Sequence, residues 1–172
     1  ACLPLLGLDL DWYSDWTTIL VTPREYEVTR RDVDEAGVVT EYDDRLAGEV
    51  LHLGPVVLSL EDVEASGRGD GYNVVIHEMA HKLDGRDGSF DGRPPLHRDM
   101  DGEAWRRAFT EAYEDLRAKV ARAPHRRSRR RGPRLDPYAA ESPDEFFAVA
   151  CEYYFEKPAL LRSEYPEVYA QL

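Results

Sequence analysis

Two kinds of hydrophobic pattern divide the chain. Between residues 16 and 60 the apolar residues gather in short β-branched and aromatic runs. Trp16 to Val21 is the first strand, closed by Pro23. Tyr26 to Arg30 and Gly37 to Tyr42 follow, with Asp34-Glu35-Ala36-Gly37 as the turn between them. Gly48 to Leu53 and Pro55 to Leu60 are two more strands around Gly54-Pro55. Glu61 to Ser66 reads as a short helix, and Gly67-Arg68-Gly69-Asp70 as the loop that leaves it.

From there the spacing becomes helical. Tyr72-Asn73-Val74-Val75-Ile76 runs into His77-Glu78-Met79-Ala80-His81 and on to Leu83. This is one largely apolar helix, with Asp70-Gly71 as the expected N-cap and Asp84-Gly85 as the expected stop. Gly85 to Pro95 is a loop by composition, and its Asp and Gly spacing does not match a calcium-binding EF-hand. Within Asp101 to Val120, the residues Trp105, Ala108, Phe109, Ala112, Leu116 and Val120 form one apolar stripe suited to core packing. A last helix is expected from Ser142-Pro143-Asp144-Glu145 to Pro158. No repeat and no second domain is visible, so residues 1–172 read as one domain.

Composition narrows the class. A hydrophobic content of 42 % is enough for a packed core, and no run reaches the length of a membrane span. Net charge is −12, unevenly spread. Residues 117–134 hold nine Lys/Arg and no acid, leaving 13 basic against 34 acidic residues elsewhere. An acidic bulk argues against a dedicated nucleic-acid binder. The basic run His125 to Arg134 reads as a solvated loop, or as a docking patch for an acidic partner. Cys2 and Cys151 make no disulfide framework, which points to a reducing, cytoplasmic setting. Ala1-Cys2-Leu3-Pro4-Leu5-Leu6 looks like the middle of a buried element, so upstream sequence is expected.

The chemistry lies in His77-Glu78-Met79-Ala80-His81. Residues four apart share a helix face, so both imidazoles reach one ion, and two neutral imidazoles suit Zn²⁺. Glu78 sits about 100° round the helix. There it reaches a water on the ion's open side, as the base of a metallopeptidase does. Two His and a Glu on an otherwise buried helix are costly unless something pairs with them, and a metal ion is the simplest partner. His52, His97 and His125 lack ligand spacing and read as surface or structural residues.

Catalytic zinc usually takes a third protein ligand. Asp87 is a local option, although Asp84 stands where a zinc-site turn would place glycine. Glu145 and Glu152, seven apart and nearly on one helix face, are the alternatives. Ser142-x-x-Glu145 with Pro143 is also a capping box, so periodicity leaves capping and metal binding open for Glu145. A fourth protein ligand from Asp84, Asp87 or Glu152 would instead make a structural site.

Three strings add a resemblance. Gly54-Pro55-Val56-Val57-Leu58-Ser59, Asp70-Gly71-Tyr72-Asn73-Val74-Val75-Ile76-His77-Glu78, and Asp136-Pro137-Tyr138-Ala139-Ala140 followed by Asp144-Glu145-Phe146-Phe147-Ala148-Val149 are similar to the Mlc titration factor A family of zinc peptidases. The likeness runs from Ala1 to Tyr169. It implies an α+β, zincin-like fold of the gluzincin type. A twisted mixed sheet would pack on the His77–His81 helix, with further helices behind it. It carries over His77, His81 and Glu145 as ligands of Zn²⁺, Glu78 as catalytic base and Tyr138 as a catalytic tyrosine. It further implies a cytoplasmic peptidase, aminopeptidase-like or acting on short peptides. Family members usually have a helical N-terminal portion and continue past the Tyr169 region.

Two functions follow as expectations. In the first, a monomeric enzyme cleaves peptides aligned by an edge strand at 55–60. In the second, the zinc site is latent and the protein sequesters a transcription repressor of the Mlc kind.

Overall fold

The computed structural model describes Pro4 and residues 10–14, 16–33, 39–46, 48–50, 54–122 and 133–172. Cys2, His52, the expected turn Asp34-Glu35-Ala36-Gly37 and residues 125–132 of the basic run fall outside them. The architecture is α+β. Strands β1 (Ile19–Thr22), β2 (Tyr26–Val33), β3 (Val39–Leu46), β4 (Gly48–Val50) and β5 (Val56–Ser59) come first. Helices α1 (Leu60–Ala65), α2 (Val74–Asp84), α3 (Gly102–Arg122), α4 (Pro143–Glu156), α5 (Pro158–Glu164) and α6 (Pro166–Gln171) follow. Short 3₁₀ turns occupy Leu10–Tyr13, Gly85–Asp87 and Pro137–Ala140.

The mixed sheet has the order β1-β5-β4, with β1 parallel to β5 (Ile19 opposite Val56) and β4 antiparallel to it (Gly48 opposite Leu58). β2 and β3 form a separate antiparallel pair with Tyr26 opposite Leu46. The strand at 55–60 is therefore central, not an edge. Both of its sides are occupied, and β4 ends the sheet among the described residues.

Helix α2 starts later than Asp70 would have it. Gly71 adopts φ 95°, a left-handed conformation that cannot open a helix. Asn73 caps α2 instead, its side chain accepting from Ile76 N at 3.1 Å. Asp70 accepts from Tyr72 N at 3.1 Å and closes the turn before it. A side chain at Gly71 would also meet the Tyr153 ring 2.8 Å away.

Both flanks of α2 are buried. Ile76 and Ala80 join Trp105, Phe109, Phe146 and Phe147 in the helical core. Val74 and Met79 join Val56 and Leu58 in a smaller core against the sheet. The α3 stripe packs as its spacing requires, with Trp105 stacked on Phe109 at 4.3 Å. Each such aromatic is worth about 1.5–3 kcal/mol on burial. Lys82 is also buried and spans to the sheet side, donating to Gly54 O at 2.8 Å. α5 and α6 lie beyond the expected end of the last helix. Pro158 and Pro166 occupy first-turn positions, where a missing N–H costs nothing, so they start helices rather than end the chain's order.

Candidate metal centre

Both imidazoles of α2 turn Nε2 towards one point. His77 Nε2 and His81 Nε2 are 3.1 Å apart. From α4, Glu145 Oε2 lies 3.0 Å from His77 Nε2 and 3.6 Å from His81 Nε2. Donors held about 2.0–2.1 Å from one tetrahedral ion are about 3.3 Å from each other. The three atoms stand at ligand spacing, and they are the group among the described residues that could hold a metal ion.

Glu145 satisfies both of its sequence readings by dividing them. Ser142 caps α4 by accepting from Glu145 N at 3.4 Å. The Glu145 carboxylate does not return to the cap but crosses to α2. Its Oε1 accepts a hydrogen bond from Tyr138 Oη at 3.1 Å. Tyr138 sits on the 3₁₀ turn Pro137–Ala140, 51 % exposed, its ring 6.1 Å from that of His77.

Glu152, two turns further along α4, stands behind His77. Its Oε1 is 2.9 Å from His77 Nδ1. A carboxylate only accepts, so Nδ1 carries a proton, and a His77 that gave up its second proton to a metal ion would present the Nε2 lone pair. That lone pair faces Glu145 Oε2, a buried atom with no hydrogen-bond partner. Two lone pairs at 3.0 Å repel unless a proton or a cation lies between them. Burial works against a charged His77, but contacts with Glu145 and Glu152 override it and lift the imidazole to about 10. Burial likewise opposes ionised Glu145, yet His77 and His81 hold it well below the usual carboxylate range. The cluster is thus a sink for positive charge, and its donor set of two nitrogens and one carboxylate oxygen fits Zn²⁺.

Glu78 is 5 % exposed and faces the sheet. Burial raises its carboxyl above the ordinary value, while the neighbouring His77 and His81 pull the other way. Across from it stands Gly48 of β4. A Cβ at that position would overlap the Glu78 carboxyl group.

The remaining candidates lie elsewhere. Asp87 is exposed and accepts from Ser89 N and Oγ at 3.0 and 2.7 Å. Asp84 accepts from Gly92 N at 2.9 Å. Neither joins the His77–His81–Glu145 group. His97 is exposed beside Asp99 at 3.6 Å. Cys151 is buried in the helical core, where burial raises its thiol. Sequence reasoning did not find the roles of Glu152, Glu156 or Gly48. Glu152 also accepts from Asn73 N, and Glu156 accepts from Asn73 Nδ2 and Gly69 N, both at 2.8 Å. The period of α4 places Glu145, Glu152 and Glu156 on one face, which was the available signal.

A paired-histidine helix completed by a glutamate from a second helix defines a metallopeptidase-like α+β protein. A family model described as Glucose-regulated metallo-peptidase M90 matches residues 1–172, and the chain belongs to that family. Its curated relatives include Mlc titration factor A of Edwardsiella ictaluri (strain 93-146), 38 % identical over 170 residues, covering 98 % of this chain and 62 % of the relative. Mlc titration factor A of Yersinia pestis (strain Pestoides F) is 33 % identical over 168 residues, covering 97 % of this chain and 60 % of the relative. The chain spans about three-fifths of the length of these relatives. Among the described residues no helix is long and apolar enough to cross a membrane.

Proposed function

We propose that residues 1–172 form a single gluzincin-type zincin domain that hydrolyses short peptides in the cytoplasm as a monomer, with aminopeptidase-like action. One observation carries this reading: His77 Nε2, His81 Nε2 and Glu145 Oε2 converge at ligand spacing beside the buried Glu78. His77, His81 and Glu145 would hold Zn²⁺. Bound there, the ion supplies Lewis-acid polarisation and lowers the pKa of a coordinated water towards about 7.

The residues around it divide the work. Glu78 takes a proton from the attacking water as its oxygen adds to the peptide carbonyl. The same carboxyl then delivers that proton to the leaving nitrogen as the C–N bond breaks. Tyr138, exposed at the rim, donates a hydrogen bond to the oxyanion that forms on the carbonyl oxygen. β4 ends the sheet next to Glu78 and offers an edge for an extended substrate backbone.

The test is hydrolysis of aminoacyl and peptide chromogenic substrates by the zinc-loaded protein, with Glu78→Gln alongside. Activity that disappears in the variant while zinc stays bound is expected. Equal turnover in both would remove Glu78 from the base role.

A second reading has its own support in the relatives' names, which make them titration factors of Mlc. In it, this chain binds a transcription repressor of that kind with its zinc site latent. A Glu78→Gln protein that still captures such a repressor would favour it.

A further inference from the structure

The two histidines are not equally supported. His77 Nδ1 has Glu152, but His81 Nδ1 is buried and has no hydrogen-bond partner. Three residues on, Asp84 is fully buried. Its Oδ2 accepts from Gly92 N at 2.9 Å, while its Oδ1 has no partner. If His81 binds metal through Nε2, as the proposed function has it, its ring proton sits on Nδ1. An orphan donor and an orphan acceptor then lie one helical turn apart on the same face of α2. Helical side chains lean towards the N-terminus, which carries Asp84 back over the turn of His81.

This corner is closed from bulk solvent. The Phe90 ring lies edge-on to His81 at 6.4 Å. It also packs on Gly85 so closely that a Cβ there would stand 2.6 Å from its Cε1. Gly92, which binds Asp84, is itself held by Trp105 Nε1 donating to its carbonyl at 3.4 Å. Buried polar atoms of opposite character without protein partners are where proteins hold structural water.

We propose that one buried water joins His81 Nδ1–H to Asp84 Oδ1, making Asp84 the positioning residue of the second histidine as Glu152 is of the first. The proposal rests on His81 being a metal ligand. Outer carboxylates of this kind fix the ring and make it a better donor, and their loss typically costs 10–100-fold in metal affinity.

The experiment is zinc competition against a chromophoric chelator, with the chain of residues 1–172, its Asp84→Asn variant and its His81→Ala variant. Folding of each is checked by circular dichroism in chelator. Asp84→Asn should weaken zinc binding about tenfold or more with the metal-free fold intact. Unchanged affinity in Asp84→Asn, with binding lost in His81→Ala, would overturn the Asp84 role alone. Unchanged affinity in His81→Ala would overturn the metal site and this proposal with it. Should Asp84→Asn fail to fold, a crystal structure of the zinc-loaded parent decides. A water within hydrogen-bond reach of both His81 Nδ1 and Asp84 Oδ1 is expected. His81 Nδ1 bonded to another group would overturn the proposal.

Discussion

Glu152 Oε1 lies 2.9 Å from His77 Nδ1, and this contact decides which nitrogen of His77 faces Glu145. Helix α4 thus grips both ends of one imidazole: Glu145 at Nε2 and Glu152 at Nδ1. The packing of α2 on α4 and the geometry of the candidate metal centre are therefore one structural fact.

If the proposed centre holds zinc, removing Glu152 should loosen it without removing a proposed ligand. Glu152→Ala leaves His77 Nδ1 and Asn73 N without their acceptor. Zinc affinity is expected to fall about 10–100-fold. Glu152→Gln keeps an amide oxygen that can accept from Nδ1, so its loss should be smaller. Chelator competition on both variants checks the order, and a larger loss in Gln than in Ala would contradict it.

How much of this was legible follows from range. His77, Glu78 and His81 lie within one helix, where spacing alone sets which faces they share. The α3 stripe is local in the same way. Glu145 was ambiguous because one residue carries two groups: its N–H serves the cap and its carboxylate serves the site. Glu152 was visible as a face-mate of Glu145, but only the crossing of α2 and α4 sets it against His77 Nδ1 rather than in the group that could hold a metal ion. The central place of β5 was not legible at all. Periodicity says that a strand is buried, not which neighbours flank it. The start of α2 was misread because an Asp-Gly pair suits a cap by type, while the left-handed Gly71 rules it out by conformation.

Tyr138→Phe separates two roles for one hydroxyl. If Tyr138 stabilises the oxyanion, kcat should fall about 10²–10³-fold with KM and zinc affinity little changed. If the hydroxyl serves only Glu145, which it meets at 3.1 Å, zinc affinity should fall and kcat at saturating zinc should recover. Steady-state kinetics at two zinc concentrations distinguishes them.

Asp84 gives the metal-free fold a pH signature. Burial raises its carboxyl from an ordinary 3.8 to about 6. Between these values the folded chain binds a proton that the unfolded chain has lost, so stability falls as pH rises. The contribution is fully present below about pH 4 and gone above about pH 6, and over that interval it amounts to about 3 kcal/mol. Asp84→Asn does not titrate and should lack it. Denaturant unfolding in chelator at pH 4 and pH 7, compared as the difference between parent and variant, cancels the other carboxylates. Parallel pH profiles would refute the assignment.

Gly48→Ala tests whether the sheet holds the proposed base, Glu78, in place. Gly48 belongs to β4 and Glu78 to α2, and nothing in the sequence links them. In the fold a Cβ at Gly48 would lie 2.7 Å from both Cγ and Cδ of Glu78. Glu78 is 5 % exposed, so the carboxyl that must give way to the new Cβ would shift within packed surroundings. The glycine leaves the room that the Glu78 carboxyl occupies. Its replacement should displace the carboxyl by about an ångström, enough to cost about 10²-fold in kcat/KM. Overpacking should also destabilise the fold by about 1–3 kcal/mol. Zinc affinity should hold, because the three atoms nearest to a Cβ at Gly48 all belong to Glu78 and none to His77, His81 or Glu145. The double variant Gly48→Ala/Glu78→Gln gives the sharper reading. If Gly48 acts only through Glu78, adding Gly48→Ala to Glu78→Gln should cause no further loss of turnover. A full additive loss would mean that β4 positions the substrate backbone rather than the base.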